Sequence, residues 1–166
     1  MSKHWKVVTG WSTIEGQWLK RRYFNTEVLA HLAEQIGQSE AGHTGELMLA
    51  VEAVMPAHEH DSYQRALEVF GRLRVWDTPL NSGVLLYLAL DQRRIEIIAD
   101  RGIRVEDAEW QQVCNRLRQA LGQQQYLSGL VDAVQQIQEL LRQGAPSASQ
   151  ASDTEQDHLS NAPVLL

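Results

Sequence analysis

Asp77, Asn81 and Asp100 are the side chains in this sequence best suited to hold an ion. Two carboxylates with an amide oxygen are hard donors, the ligand class of Ca²⁺ or Mg²⁺. Asp77-Thr78-Pro79 leads into Asn81-Ser82-Gly83, and Asp100-Arg101-Gly102 makes a second polar turn further on. With so few charges and no compact ligand loop, binding would be weak, with a dissociation constant of about 10⁻⁴ to 10⁻³ M. The same residues also have a purely structural reading. Asp77-Thr78-Pro79 is a turn former, Asp100 has Arg101 and Arg104 as neighbours, and Asn81 suits a left-handed backbone.

Other chemistry is thinner. His58-Glu59-His60-Asp61 sets two imidazoles beside carboxylates, a zinc or nickel pattern. Asp61 directly follows His60, unlike the His-x-His-x-Asp spacing of metallohydrolases, and a solvated loop with Asp61 as helix cap fits as well. Cys114 falls inside a helical apolar stripe with Trp110 and Leu117, which suits core packing better than nucleophilic attack. There is no Cys-x₅-Arg loop, Gly-x-Ser-x-Gly elbow, phosphate-cradling glycine run or Asp-x-Asp pair. No catalytic residue is identified.

Strands must position the acidic turns. Val84–Leu90 holds no polar group except the Tyr87 hydroxyl, so a central strand covered on both faces is expected. Leu47, Leu49 and Val51 alternate with Met48 and Ala50 in an earlier strand. Asp91-Gln92 is a two-residue hairpin, returning through Ile95 and Ile97 on one face and Ile98 on the other. Between the first two strands, Asp61 caps a helix with Gln64 at the capping-box position and a stripe of Tyr63, Ala66, Leu67, Phe70 and Leu73. The expected fold is α/β: a small mixed β-sheet flanked by helices, an α/β/α sandwich with one parallel βαβ crossover and a hairpin strand. That topology gathers His43, Glu46, Asp77, Thr78, Asn81, Ser82, Asp100 and Arg101 at one edge.

A helix capped by Asn25 or Thr26 precedes the strands, with Val28, Leu29, Leu32, Ala33 and Ile36 as its stripe. Two helices follow them, striped by Trp110, Val113, Cys114, Leu117, Leu121 and by Leu127, Leu130, Val134, Ile137, Leu141. Residues 1–25 read as a basic, aromatic arm with 14–22 helical, 26–143 as the domain, and 144–166 as a disordered polar tail. Pro163–Leu166 is then either a frayed end or a short peptide ligand.

The 166 residues suit one domain, and 43% hydrophobic content with 22% charged is that of an ordinary globular protein. One cysteine excludes an internal disulfide framework and fits a reducing compartment. No apolar run suits a signal peptide or a membrane span, so a cytoplasmic location is expected. The net charge of −6 is uneven: residues 1–24 carry +4, 144–166 carry −3, and the body between carries −7. An acidic body argues against nucleic-acid binding, which needs a basic footprint. Lys20-Arg21-Arg22-Tyr23-Phe24 with Trp18 offers contact to a partner protein or acidic lipid; its bland reading is a solvated face with the aromatics tucked into the core.

The Gly-Glu-Leu strand start, Ala-Leu-Glu-Val-Phe, Trp76, Asn81-Ser82-Gly83-Val84-Leu85 and Asp91-Gln92-Arg93-Arg94-Ile95-Glu96-Ile97 together resemble the TPM domain family over residues 26–142. Relatives of that kind include thylakoid-lumen photosystem-repair proteins and a nematode receptor-accessory protein, and this chain looks like a short cytosolic bacterial branch. The resemblance implies an α/β sandwich, a phosphatase label and, for some members, divalent cation binding. After the third strand, Arg101-Gly102-Ile103-Arg104 stands where the family has a longer Gly-Leu-Glu-Gly loop, and Asp107 only loosely matches the Asp that follows it. The function expected is a non-catalytic accessory or interaction domain with another protein as partner and a weak Ca²⁺ or Mg²⁺ site. The alternative is a metal-assisted phosphate-ester hydrolase in which Asp77 and Asp100 hold the cation and its water.

Overall fold

Alternating strand side chains separate two apolar cores, one on each face of a single sheet. The computed structural model describes residues 11–39, 42–147 and 159–166. In chain order the elements are α1 (Trp11–Tyr23), α2 (Thr26–Ser39), β1 (Glu46–Glu52), α3 (Ser62–Arg72), β2 (Gly83–Ala89), β3 (Arg94–Ala99), α4 (Asp107–Gly122), α5 (Tyr126–Gly144) and β4 (Val164–Leu165). The strand order is β3-β2-β1-β4. β1 runs parallel to β2 and β4, while β2 and β3 are antiparallel.

Leu47, Leu49, Val51, Val84, Leu86 and Leu88 face a core shared with α2, α4 and α5. Met48, Ala50, Leu85, Tyr87 and Ala89 face the opposite core, closed by Ala66 and Val69 of α3. A strand covered on both sides has no position for solvated side chains, and all of β2 is buried. The α/β sandwich expected from the apolar pattern is the architecture found. Asn25 caps α2 as expected, its Oδ1 accepting the Val28 N–H at 2.9 Å. The buried stripes of α4 and α5 run through Trp110, Val113, Cys114, Leu117 and through Leu130, Val134, Ile137, Leu141.

Four local expectations change. α3 is rotated: Arg65, Ala66 and Val69 are buried, while Tyr63 and Leu67 are exposed. Asp61 does cap it, accepting the Tyr63 N–H at 2.8 Å, but Glu59 rather than Gln64 takes the Asp61 N–H. The hairpin loop is Leu90 to Arg93, because Ala89 pairs with Arg94 and Arg93 takes a positive φ of 52°. α1 extends beyond 14–22 and is a regular helix on the domain; residues 1–10 of the expected arm lie outside the described residues.

The tail expected to be disordered over 144–166 is ordered at 159–166. Val164 and Leu165 pair with Ala50 and Val51, the Leu166 N–H donates to the Val51 carbonyl at 2.8 Å, and Leu159 is buried. The reason is the open edge of β1, whose backbone groups need partners that a short apolar segment can supply. Residues 148–158 lie outside the described residues.

Candidate functional site

Register brings three chain segments to one rim of the sheet: Glu46 pairs with Gly83, and Val84 with Ala99. The starts of β1 and β2 therefore lie beside the end of β3. Backbone bonds join them, from the Glu46 N–H to the Ser82 carbonyl at 3.0 Å and from the Asp100 N–H to the Gly83 carbonyl at 2.9 Å. Thr78 closes the turn before β2. Its carbonyl accepts the Asn81 N–H at 3.2 Å and its hydroxyl accepts the Ser82 N–H at 2.8 Å. The Ser82 hydroxyl donates to the Thr44 carbonyl at 2.8 Å, and the Thr44 hydroxyl donates to the Pro146 carbonyl at 2.6 Å. The loop before β1 is thus tied to both the β2 turn and the end of α5.

Asn81 adopts a left-handed φ of 51°, the conformation its short polar side chain tolerates best after glycine. Its carbonyl then accepts the Gly102 N–H at 2.8 Å, closing the two polar turns against each other. Any side chain at Gly102 would run into the Leu80 and Asn81 carbonyls, so the approach depends on glycine.

Asp100 Oδ1 accepts the Arg101 N–H at 2.7 Å, whereas Oδ2 is buried with no hydrogen-bond donor. Leaving such an oxygen without a donor costs about 1–3 kcal/mol. Asn81 Oδ1 lies 3.4 Å from Arg101 Nη2. Asp77 is engaged elsewhere, its Oδ2 paired with Arg74 Nη2 at 2.8 Å on the exposed side of the turn. Of the three sequence-selected residues, Asn81 and Asp100 are linked through Arg101, and Asp77 is held at the start of the same turn by Arg74. On the β1 side of the rim, His43 Nδ1 accepts the Gly45 N–H at 3.1 Å, so Nε2 carries the ring proton and donates to buried Gln138 Oε1.

The remaining candidates occupy ordinary positions. His58 is exposed near Glu68, and Glu59 Oε1 accepts the His60 and Asp61 N–H groups, each at 2.9 Å. Burial pushes the Cys114 thiol up to about 11, against thiolate formation. Among the described residues, no three His, Cys, Asp or Glu side chains are grouped to hold a metal. A surface depression of about 620 Å³ lies away from the polar rim, beside Tyr23, His31, Tyr126 and Val131.

One constellation escaped the sequence. Arg65 grips Glu52 with two bonds, Nε–Oε2 at 2.9 Å and Nη2–Oε1 at 2.7 Å, and the Tyr87 hydroxyl donates to Glu52 Oε2 at 2.5 Å. All three side chains are buried. The hydrogen bond to Glu52 raises Arg65 further above its usual range, and burial raises the Tyr87 phenol. The only signal available in sequence was a lone Glu ending an apolar strand and an Arg placed among helix core positions.

The TPM domain profile matches residues 20–140. The chain belongs to the TPM domain family. Among solved structures, this TPM domain is similar to the BA42 protein from the psychrophilic bacterium Bizionia argentinensis, at 26% identity and a TM-score of 0.71, covering 85% of this chain and 94% of that one. It also shares its fold with the N-terminal domain of the cg2496 protein from Corynebacterium glutamicum, at 16% identity and a TM-score of 0.51, covering 81% and 83%. No curated protein matches the chain. Among the described residues, no helix of this TPM domain is long and apolar enough to cross a membrane.

Proposed function

We propose that this TPM domain is a non-catalytic interaction domain whose polar rim binds Ca²⁺ or Mg²⁺ weakly through Asp100 and Asn81, with Asp77 as a third ligand. The observation that carries this reading is Asp100 Oδ2, a buried carboxylate oxygen without a donor in a turn fixed by Asn81 and Gly102. A hard cation is the partner such an oxygen lacks, and the amide oxygen of Asn81 is of the same donor class. Asp77 joins by leaving Arg74, an exposed ion pair whose loss costs little. Arg101 competes for Asn81 Oδ1, which argues for weak rather than tight affinity.

Calorimetric titration of Ca²⁺ and Mg²⁺ into the full chain tests it. Saturable heats with a dissociation constant of about 10⁻⁴ to 10⁻³ M are expected, abolished by Asp100→Asn and weakened by Asp77→Asn. Identical heats from wild type and Asp100→Asn would remove the site. The hydrolase alternative would draw its nucleophile from cation-bound water, because the buried Cys114 thiol, pushed up to about 11, does not supply one. Cation-dependent turnover of a generic phosphate ester, lost in Asp77→Asn, would put that alternative in place of the non-catalytic reading.

A further inference from the structure

We propose that the outer face of α1 docks the protein on an anionic lipid surface, with Ile14 and Trp18 entering the interface and Arg21 and Arg22 meeting lipid phosphates.

The argument begins on the inner face. Ser12 and Leu19 are buried, and Gly16 lies so close to the Ala53 carbonyl that any side chain there would collide with it. The smallest residue of the helix therefore sets its rotation. Turned outward as a result, Ile14 is 69% exposed and Trp18 55% exposed. Arg21 and Arg22 are exposed as well. Positions i, i+4, i+7 and i+8 share one helical face. The solvent stripe of α1 thus runs from apolar to cationic, while Ser12, Gly16 and a single large apolar residue, Leu19, face the domain. A helix serving only as a lid would be patterned the opposite way.

Charge selects the occupant. Lys20, Arg21 and Arg22 against Glu15 give α1 a balance of +2 beside −7 in the body, so an anionic surface attracts this face and repels the rest. Glu15, the only acid on α1, is paired with Arg93, which leaves Arg21 and Arg22 unneutralised by their own helix. Arg22 lies over the Tyr23 ring at 5.5 Å, and Trp18 meets that ring edge-on at 6.2 Å. Tryptophan beside arginine is the pairing that partitions at headgroup depth, the indole in the interface and the guanidinium among phosphates.

Cosedimentation of the full chain with mixed phosphatidylserine–phosphatidylcholine vesicles, and with phosphatidylcholine alone, tests the proposal. Binding to the mixed vesicles only, weakened by added salt, is expected. Arg21→Glu with Arg22→Glu should reduce partitioning at least about tenfold. Trp18→Ser should also reduce it, and circular dichroism should show both variants folded because the altered side chains are exposed. Arg116→Glu with Arg118→Glu, the same charge change on α4, should leave binding largely intact. The proposal falls if the mixed vesicles are not bound, if neutral vesicles bind equally, or if the α4 variant loses as much as the α1 variant. Indifference to Trp18→Ser also overturns it. So does a concentration-dependent dimer that Trp18→Ser dissolves without lipid, which would make the face a contact between copies.

Discussion

A guanidinium bonded to a carboxylate inside an apolar core is secure only while both partners remain. Glu52 and Arg65 satisfy each other with two bonds, and Tyr87 adds a third to the same carboxylate. Arg65→Met would leave Glu52 buried without its countercharge, and urea unfolding should show a loss of about 3–5 kcal/mol. Tyr87→Phe removes one bond to a charged acceptor and should cost about 1.5–3 kcal/mol in the same measurement. Asp91 behaves differently. Burial raises its carboxyl above the ordinary range, although Oδ1 accepts the Met55 N–H at 3.2 Å. Between the unfolded value and this raised one, the folded protein holds more protons than the unfolded chain. Stability contributed by the neutral acid is therefore lost as pH rises through that window. Asp91→Asn should gain on wild type as pH climbs from about 4 and then level off, as read by thermal melts across pH. At this scale the sequence revealed Asn81 and Asp61, whose roles are local to their own turns. It concealed Glu52 and Arg65, because a buried pair is recognisable only when both ends are seen together.

Helices and strands were more legible, because periodicity reports burial directly. The unbroken apolar run of β2 needed a layer on each face, the stripes of α4 and α5 needed one each, and all of them found it. α3 misled because Tyr63 and Leu67 look like core residues, while the bond from Arg65 to Glu52 turns the helix otherwise. Segment 159–166 misled for another reason. Its surroundings are polar, and the need it meets belongs to β1, over a hundred residues earlier. Removing 159–166 should lower stability on the order of 3 kcal/mol, since Leu159 is buried and Val164, Leu165 and Leu166 pack partly into the two cores. Thermal melting of the shortened chain checks this. Gly16→Ala should also destabilise, and should free α1 first, seen as faster amide exchange in that helix alone.

Across the whole molecule, the polar rim and the β2–β3 hairpin lie at opposite ends of the sheet. The rim proposed to hold a cation lies where β1 and β2 begin, and Arg101 stands beside the Asn81 amide. At a cation concentration about ten times the dissociation constant, binding should add about 1.4 kcal/mol of stability. Arg101→Gln should enlarge that gain, and Asp100→Asn should erase it, both read as melting-temperature shifts with Ca²⁺. The strand order carries a separate consequence for how molecules behave in company. Val51 pairs with Leu165, so the outer margin of the sheet is sealed by a remote stretch of chain, a slow contact to make. A molecule that has assembled everything else but not yet retrieved that stretch shows its neighbours a bare row of amides and carbonyls. Refolding yield should consequently fall as protein concentration rises, and a synthetic Pro163–Leu166 peptide in excess should rescue part of it.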